Sequence, residues 1–300
     1  MTMRDRFATV VSELVETDPR VAVVLADIGV DRFAPVAARH PDRVVNLGIM
    51  EQAAIGVAAG FALEGFVPVV HSIAPFLVER PYEQIKDDFC SQRLGGLFVS
   101  VGASYDYAAE GMTHQAPADV VLLSALPDTE ILVPGTAAEL ETLLRASYDD
   151  GAVTYLRTSV RANTEDREVE LGRLAIVRRG GAGTVVAVGP LLDATLAAAD
   201  ELDLTVLYAT TVSPFDGVTL AREAVGDVIV VEPYAGEVLV PAVARALDRP
   251  ARIGAIGVPR RPLSRYGTPE EHERALGLDA AGIGERLRRF FGAWPRPRGA

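Results

Sequence analysis

Short apolar runs alternate with helical segments along almost the whole chain, and this alternation constrains the fold more than any other feature. Residues 21–26 form one such run, made only of Val, Ala and Leu. A strand of this kind is typical of a parallel sheet that helices cover on both faces. Apolar residues make up 49% of the 300 residues, which can fill the cores of two domains of ordinary size.

The alternation predicts two α/β units in tandem. In the first unit it predicts strands at 21–26, 43–46, 67–71, 97–101, 130–133 and 153–157, and helices at 3–16, 32–40, 51–63, 77–93, 117–126 and 137–149. In the second unit it predicts strands at 174–178, 183–188, 204–208, 227–232 and 252–256, and helices at 191–202, 216–224, 236–246 and 279–291. Residues 161–173 are mostly polar and mark a linker. We therefore predict two three-layer α/β/α domains, residues 1–160 and residues 174–300, with a frayed tail from Trp294 onward.

Charge and hydropathy argue against two kinds of partner. The net charge of −12 disfavours nucleic-acid binding through a broad basic surface. The longest apolar region, residues 53–70, is interrupted by Glu64, Gly65 and Pro68, which predicts a helix, a turn and a strand rather than a membrane span. The first residues are charged and do not resemble an apolar signal core. We expect a cytoplasmic protein that binds neither nucleic acid nor a membrane.

Common metal and nucleotide motifs are missing from the sequence. The single cysteine, Cys90, rules out a disulfide within the chain and a thiolate metal cluster. The four histidines lack metal-ligand spacing. The glycine-rich residues 180–183 precede a strand instead of following one, so they predict a turn and not a dinucleotide-binding loop. No metal site is predicted within this chain.

One carboxylate, Glu51, precedes an unusually apolar helix. Residues 53–63 contain no polar side chain, and a helix that is hydrophobic all round is buried. The positive end of the helix dipole favours an anion at Glu51, whereas burial favours the protonated acid. A glutamate under both influences can share a proton with a basic nitrogen. From the spacing alone, an ordinary capping residue of a core helix is the favoured interpretation of Glu51.

His114 lies in a loop of small residues, 111–115, between a predicted strand and a predicted helix. Such a loop can present one imidazole at the edge of a sheet, where functional groups are common. A loop histidine that is merely hydrogen-bonded to the backbone fits the same pattern.

These two stretches carry a resemblance to a known family. The first half resembles the pyrimidine-binding domain of transketolases at GIMEQ (48–52), AAGFALEG (58–65), Pro68, Phe76, RPYEQI (80–85) and GMTHQ (111–115). The second half resembles the transketolase C-terminal domain at PFD (214–216), VE (231–232), Gly267 and LGLD (276–279). Because the motifs follow one another over nearly the whole chain, together they are more specific than any one alone.

The resemblance implies thiamine diphosphate as cofactor, which carries out the carbon chemistry itself. Glu51 matches the family's glutamate, which hydrogen-bonds N1′ of the aminopyrimidine and helps the 4′-nitrogen to take the C2 proton. Phe76 matches an aromatic residue that packs on the pyrimidine ring. Ile73 occupies a position where a second aromatic residue is common, and it keeps an apolar contact without stacking. Met50 and Arg80 are expected beside the cofactor as well.

The resemblance also implies substrate contacts. His114 matches the histidine that faces the reacting end of the cofactor and the donor substrate, which makes it a candidate catalytic residue with Glu51. Glu110 occupies the position where many transketolases place an aspartate for a donor hydroxyl group. We therefore expect transfer of a ketol or related two-carbon unit from a ketose-type donor to an aldehyde-type acceptor.

Departures from the family pattern concern the acceptor's phosphate. Asp31 lies near the usual position of a serine, and Gly102 lies near the usual position of a histidine. Arg157 is kept, but the family's second phosphate-binding arginine is replaced by an apolar residue, with Arg161 one place further on. Because each lost charge-assisted contact costs about 1.5–3 kcal/mol, these changes favour a non-phosphorylated acceptor.

The sequence lacks the Gly-Asp-Gly motif with which transketolases hold Mg²⁺ and the diphosphate. We therefore expect the small, C-terminal subunit of a split transketolase. A separate N-terminal-type subunit would bind the diphosphate and Mg²⁺, and the complex would be an α₂β₂ heterotetramer. Two alternatives remain open, namely the β-subunit of a 2-oxoacid dehydrogenase first component and a non-catalytic partner. The motif at 113–115 favours transketolase over the first, and intact Glu51 and His114 argue against the second.

Overall fold

A seven-stranded sheet organises the first half of the chain in the computed structural model, which describes residues 1–292. Its strands are β1 (Val21–Leu25), β2 (Val44–Asn46), β3 (Val67–Ile73), β4 (Gly96–Val101), β5 (Thr129–Leu132), β6 (Val153–Arg157) and β10 (Thr211–Ser213). Their order across the sheet is β10-β5-β6-β4-β3-β1-β2. Strands β1 to β6 pair in parallel, whereas β10 comes from the second half of the chain and runs antiparallel to β5.

Helices cover both faces of this sheet. They are α1 (Met3–Thr17), α2 (Val30–Arg39), α3 (Glu51–Leu63), α4 (Tyr82–Gln84), α5 (Asp119–Leu123) and α6 (Ala137–Ser147). Val21, Val23 and Leu25 of β1 pack with α1, α2 and α6, whereas Val24 packs on the opposite face with α3. Alternate residues of one strand thus enter two cores, which is why the whole run is apolar.

The prediction of one continuous charged helix at 77–93 is wrong, because this segment is interrupted. Two π-helical turns, Pro75–Glu79 and Ile85–Cys90, flank the short helix α4. The backbone N–H of Arg80 donates to the carbonyl of Pro75 at 3.1 Å, five residues back. Pro81 has no N–H to continue a regular ladder, so the helix is interrupted where it passes the candidate site.

A second, five-stranded sheet lies in the other half, in the order β12-β11-β8-β9-β7. Its strands are β7 (Leu174–Arg178), β8 (Gly183–Val188), β9 (Leu204–Ala209), β11 (Val228–Ala235) and β12 (Ile253–Val258). Its helices are α7 (Leu192–Ala198), α8 (Gly217–Glu223), α9 (Val240–Ala246), α10 (Pro269–Leu276) and α11 (Ala280–Gly292). Only β7 is antiparallel to its neighbour among these strands.

The predicted α/β class with two tandem, mostly parallel sheets is confirmed, and each predicted strand is present with ends shifted by up to three residues. Strand β10 and helix α10 were not predicted. The helix has a sequence signal, because Thr268 and Glu271 form a reciprocal capping box at its start. The frayed tail expected from Trp294, with the end of the predicted unit 174–300, lies outside the described residues.

The two halves are joined by more than the polar segment between β6 and β7. The loop between β4 and α5 reaches strand β11, where the N–H of Ala235 donates to the carbonyl of Pro117 at 2.6 Å. The hydroxyl of Ser104 donates to the carbonyl of Pro233. Across residues 1–292, the helices are not long and apolar enough for any of them to cross a membrane.

Candidate active site

Glu51 is the first residue of α3, beyond the carboxyl ends of β1 and β2. Asn46, the last residue of β2, shapes the turn that leads from β2 to Glu51. The side-chain oxygen of Asn46 accepts from the N–H of Asp27 at 2.9 Å and from the N–H of Gly48 at 3.1 Å. The helix then enters the core, and Glu51 itself is only 4% exposed. The local sequence therefore places a carboxylate at a buried helix head, at the sheet edge where functional groups gather.

Arg80 bridges Glu51 and Phe76. Its Nη1 donates to Oε2 of Glu51 at 2.7 Å, and its Cζ lies 4.3 Å from the centre of the Phe76 ring. The guanidinium side of this pair is 43% exposed, in contrast to the carboxylate. The π-helical turn that contains Phe76 and ends at Arg80 brings both side chains towards Glu51.

His114 closes the cluster from the loop between β4 and α5. It ends the 3₁₀ turn Met112–His114, and its ring centre lies 5.1 Å from that of Phe76 with the planes at 75°. This is an edge-to-face contact of the kind that aromatic rings prefer. Nδ1 of His114 lies 3.0 Å from the hydroxyl of Thr113. Four residues predicted for the site are thus one contiguous group: Glu51, Phe76, Arg80 and His114.

Apolar side chains surround this group at two depths. Ile49, Met50 and Met112 are exposed large residues within two positions of Glu51 or His114 in the sequence. Ile73 is buried at the end of β3. The site therefore combines a polar centre with an uncovered apolar rim.

A second predicted position, Gly102, explains one departure from the family pattern. Its φ is +74°, and a side chain there would begin 2.6 Å from the ring of Tyr107 and 3.0 Å from Ile73. Tyr107 therefore fills the space that a histidine at 102 would need. In the same loop, the ring of Tyr266 from the second half lies where a side chain on Gly111 would be, at 2.6 Å.

Glu110 and Asp31 are both exposed. Glu110 ends the 3₁₀ turn Ala108–Glu110 in the loop that carries His114. Asp31 lies in the first turn of α2, and its carboxylate pairs with the neighbouring Arg32 at 3.1 Å. Their predicted substrate contacts stay predictions.

Arg157 is buried and Arg161 is half-buried, and both guanidinium groups are paired with groups of the protein. Nε of Arg157 donates to Asp119 at 2.7 Å, and its Nη2 donates to Ser104 at 2.7 Å. Nε of Arg161 donates to the carbonyl of Pro190 at 3.0 Å, and its other end pairs with Glu273. A charge such as Arg157 at the end of a buried strand needs such a partner, and the predicted substrate contacts of both arginines stay predictions.

Sequence reasoning missed the polar network around Arg157. The hydroxyl of Tyr155 donates to Asp119 at 2.8 Å and lies 2.7 Å from the hydroxyl of Ser100. Burial raises the pKa of Tyr155 well above its usual range. Asp119 begins α5, directly after the loop of His114, so the network fixes one end of that loop. The available signal was a charged residue, Arg157, at the end of an otherwise apolar strand.

Asp106 fixes the other end of the loop. Its carboxylate accepts from the N–H groups of Ala103 and Val160 at 3.1 and 3.0 Å, and from the hydroxyl of Ser159 at 3.0 Å. Burial raises the pKa of Asp106 to about 6, although these hydrogen bonds act in the opposite direction. The loop that presents His114 is therefore anchored on both sides to buried groups.

Residues 1–164 match the family profile described as the transketolase pyrimidine binding domain. The chain belongs to the transketolase family. It is 42% identical over 292 residues to an uncharacterised 33.6 kDa protein in the fasciation locus of Rhodococcoides fascians, covering 95% of this chain and 94% of that one. It is 33% identical over 310 residues to 1-deoxy-D-xylulose-5-phosphate synthase of Synechococcus sp. strain JA-2-3B'a(2-13), covering 96% of this chain and 47% of the synthase.

Solved structures give the same family. A split gene transketolase, described as an inactive β4 tetramer, superposes with a TM-score of 0.85 at 25% identity, covering 97% of this chain and 99% of that one. Transketolase from Campylobacter jejuni superposes with a TM-score of 0.81 at 16% identity, covering 96% and 46%, and shows the fold alone. The chain thus spans about half the length of the synthase and of the Campylobacter enzyme, but nearly all of the split-gene chain. The predicted thiamine diphosphate-dependent transferase family is confirmed.

Within residues 1–292, no three or more His, Cys, Asp or Glu side chains are grouped so that they could hold a metal ion. The residues of the candidate site do fit a planar nitrogen ring. A buried carboxylate and a half-buried aromatic face lie close enough for one flat guanidinium to contact both. The same combination of a carboxyl group and a stacking surface would bind the pyrimidine of thiamine diphosphate.

Proposed function

We propose that this chain is the pyrimidine-binding, C-terminal-type subunit of a split transketolase. The complex would transfer a ketol or related two-carbon unit from a ketose-type donor to an aldehyde-type acceptor. The observation that carries the proposal is the contiguous group of Glu51, Phe76 and His114 in a chain that aligns with 99% of a split-gene transketolase chain.

Bound thiamine diphosphate would supply the carbon chemistry. Glu51 would hold N1′ of the pyrimidine through its carboxyl group, and burial suits a carboxyl group that has to share a proton. Phe76 would support the ring face, and Ile73 and Met50 would exclude water around it. The chain's own task is therefore to orient the pyrimidine and to control one proton at N1′.

His114 would act on the substrate side. Its edge contact with Phe76 sets the plane of the imidazole, and Thr113 engages Nδ1. Nε2 is then the nitrogen that would face a donor oxygen, to which it can give or from which it can take a proton. Glu110, in the same loop, would bind a donor hydroxyl group.

The charges around the site support a non-phosphorylated acceptor. Arg157 and Arg161 are held by Asp119 and Glu273, so their guanidinium groups are already paired. Asp31 presents a carboxylate at the surface, and a carboxylate that faces a phosphate dianion weakens binding. We propose a neutral aldehyde as the acceptor.

Exposed apolar surface supports a hetero-oligomer. The rim formed by Ile49, Met50 and Met112 would be covered by the subunit that binds the diphosphate and Mg²⁺. One face of α3, with Ala53, Gly56, Val57 and Gly60, is exposed too and would pack against a second copy of this chain. The resulting assembly would be an α₂β₂ complex, and we place it in the cytoplasm.

The 33% identity to a synthase favours a second candidate reaction, formation of a 1-deoxyketose. Product analysis separates this reaction from ketol transfer, because only the transferred ketol carries a hydroxyl group on C1. Both candidates use the same cluster and the same cofactor.

Reconstitution tests the proposal. The isolated chain should bind thiamine diphosphate weakly and turn over no substrate, and a diphosphate-binding subunit that co-purifies with it should restore both. Steady-state assays of the pair should favour neutral aldehydes over ribose 5-phosphate. Micromolar, Mg²⁺-dependent binding by the isolated chain would contradict the split site, and a strong preference for the phosphorylated sugar would contradict the neutral acceptor. Absence of turnover with every partner and acceptor would point to a non-catalytic subunit.

A further inference from the structure

The guanidinium of Arg80 makes two contacts that the candidate site would otherwise offer to a ligand. It donates to Glu51 at 2.7 Å and lies 4.3 Å from the centre of the Phe76 ring. A guanidinium is flat, has N–H groups at its edge and stacks on aromatic faces. A 4-aminopyrimidine is also flat, carries an amino group and stacks on aromatic faces. The two groups therefore compete for the same carboxylate and the same ring.

We infer that Arg80 occupies the pyrimidine site of the cofactor-free chain and must swing out before the cofactor's aminopyrimidine can bind. This inference rests on the proposed function of Glu51 and Phe76. The sequence predicts Arg80 as a cofactor contact, whereas the geometry assigns it as an internal stand-in for the ring. The site is thus closed by the chain itself until a pyrimidine replaces the arginine.

The Arg80 guanidinium and an aminopyrimidine require different hydrogen-bonding roles of Glu51. Arg80 is a permanent cation with donors only, so beside it Glu51 acts as the hydrogen-bond acceptor. N1′ of an aminopyrimidine is an acceptor, so beside it Glu51 has to provide or share a proton. Exchange of one occupant for the other therefore changes the role of Glu51, and the proton-sharing state forms only after Arg80 has left.

Of the two side chains in the ion pair, only Arg80 is exposed enough to move towards solvent. Glu51 is 4% exposed at the head of α3, whereas the Arg80 side chain is 43% exposed. The side-chain amide of Gln52 donates to the backbone carbonyl of Arg80 at 3.4 Å. The backbone is thus held while the long side chain is free to rotate towards solvent, where its charge is well hydrated.

Thiamine titrated into the full chain without a partner tests the inference. If Arg80 fills the site about nine-tenths of the time, Arg80→Met should tighten thiamine binding about tenfold, because the competent fraction rises to unity. Guanidinium chloride should then compete with thiamine in the Arg80→Met variant, whereas sodium chloride at equal ionic strength should not. Calorimetry or ligand-observed NMR gives the dissociation constants.

Arg20→Met is the matched control. Arg20 is 49% exposed and pairs with Asp149 at 2.6 Å, but it lies at the amino end of β1, away from Glu51. This variant should bind thiamine as the unaltered chain does. In a Glu51→Gln background the gain from Arg80→Met should fall to about twofold or less, because the ion pair that holds Arg80 in place is already lost.

The outcomes separate this inference from the proposed function. Equal or weaker binding of thiamine by Arg80→Met overturns the stand-in role and leaves a thiamine site intact. Absence of thiamine binding by both the unaltered chain and Arg80→Met at millimolar ligand overturns the stand-in role together with the proposed pyrimidine site.

Discussion

Two arginine–carboxylate pairs in this chain have the same length but different surroundings. Arg80 and Glu51 are 2.7 Å apart at the candidate site, and Arg157 and Asp119 are 2.7 Å apart at the end of β6. The side chains of Arg80 and Glu51 are 43% and 4% exposed, whereas those of Arg157 and Asp119 are 1% and 0% exposed. The two pairs are equally short, and the access of water differs most between them.

That difference decides what each pair can do. A pair with one partner in water gains little free energy from its contact, so a ligand can displace that partner. A pair without water keeps both charges only while both are present, because a lone buried charge is very costly. Arg80–Glu51 therefore suits a site that exchanges its occupant, and Arg157–Asp119 suits a fixed support for the loop of His114.

Removal of the carboxylate from the open pair should give the largest effect, and it should fall on activity. Glu51→Gln in the reconstituted complex should lower turnover by about 10²–10⁴-fold, because an amide cannot share the proton at N1′. The shape of the side chain is kept, so the midpoint of thermal unfolding should change little. Near-normal rates without added base would show that Glu51 has another role.

Removal of the arginine from the closed pair should act on stability instead. Arg157→Met leaves Asp119 charged and without its cation in the interior, which should lower the free energy of unfolding by about 3–5 kcal/mol. Urea denaturation followed by circular dichroism measures the loss. The double variant with Asp119→Leu should recover part of it. A loss below about 1 kcal/mol would mean that water reaches the pair.

Glu232 sharpens the comparison, because this buried carboxyl group is held by backbone N–H groups. It accepts from Glu237 and Leu239 at 2.6 and 3.0 Å, and burial raises its pKa from 4.5 to about 7. The folded chain therefore binds more protons here than the unfolded chain between these two pH values. The stabilisation from this group is complete below pH 4.5 and is lost as the pH rises through 7.

Glu232→Gln removes that titration. Relative to the unaltered chain, the variant should gain about 3 kcal/mol in the free energy of unfolding between pH 4.5 and pH 8, whatever constant offset the amide introduces. Urea unfolding of both proteins at several pH values measures the change. Parallel pH profiles would show that Glu232 does not titrate in this range.

Arg80→Met should have the smallest effect on stability. Because removal of the half-exposed Arg80 side chain opens Glu51 to water, loss of the pair should cost about 1 kcal/mol, several times less than Arg157→Met. Urea denaturation under the same conditions allows the direct comparison. Equal losses in the two variants would remove the distinction between an exchangeable pair and a fixed one.

Local patterns predicted much of this molecule. The apolar run of β1 specifies a buried strand by itself. Helix α3, predicted to be buried all round, buries only one face and leaves Ala53, Gly56, Val57 and Gly60 exposed. The motifs around Glu51 and His114 contain residues that lie together in space through Arg80 and Phe76. The direction of Arg157 was not predictable in the same way. The direction of the Arg157 side chain depends on its partner Asp119, which begins α5 and lies far from Arg157 in the sequence.

Two further features depend on distant contacts. Strand β10 has only three residues, and its strand conformation comes from pairing with β5 about eighty residues earlier. The interrupted helix at 75–90 has an ordinary helical pattern apart from Pro81, and this pattern gives no local signal for the two π-helical turns. Short elements and irregular turns depend on contacts with residues that are distant in the sequence, so a local stretch of sequence does not predict them.

Strand β10 also determines when the seven-stranded sheet can be completed during synthesis, because it is the last of the seven strands to be translated. Ile131 and Leu132 of β5 pair with residues 211–213, so the outer edge of β5 stays open while the intervening residues are still being translated. An open strand edge is a template for pairing with another chain. A nascent chain halted after residue 160 would carry a nearly finished sheet with that edge bare. Ribosomes that follow one another on the same message would hold such edges close together, and release of the chain past Ser213 is the event that ends the exposure.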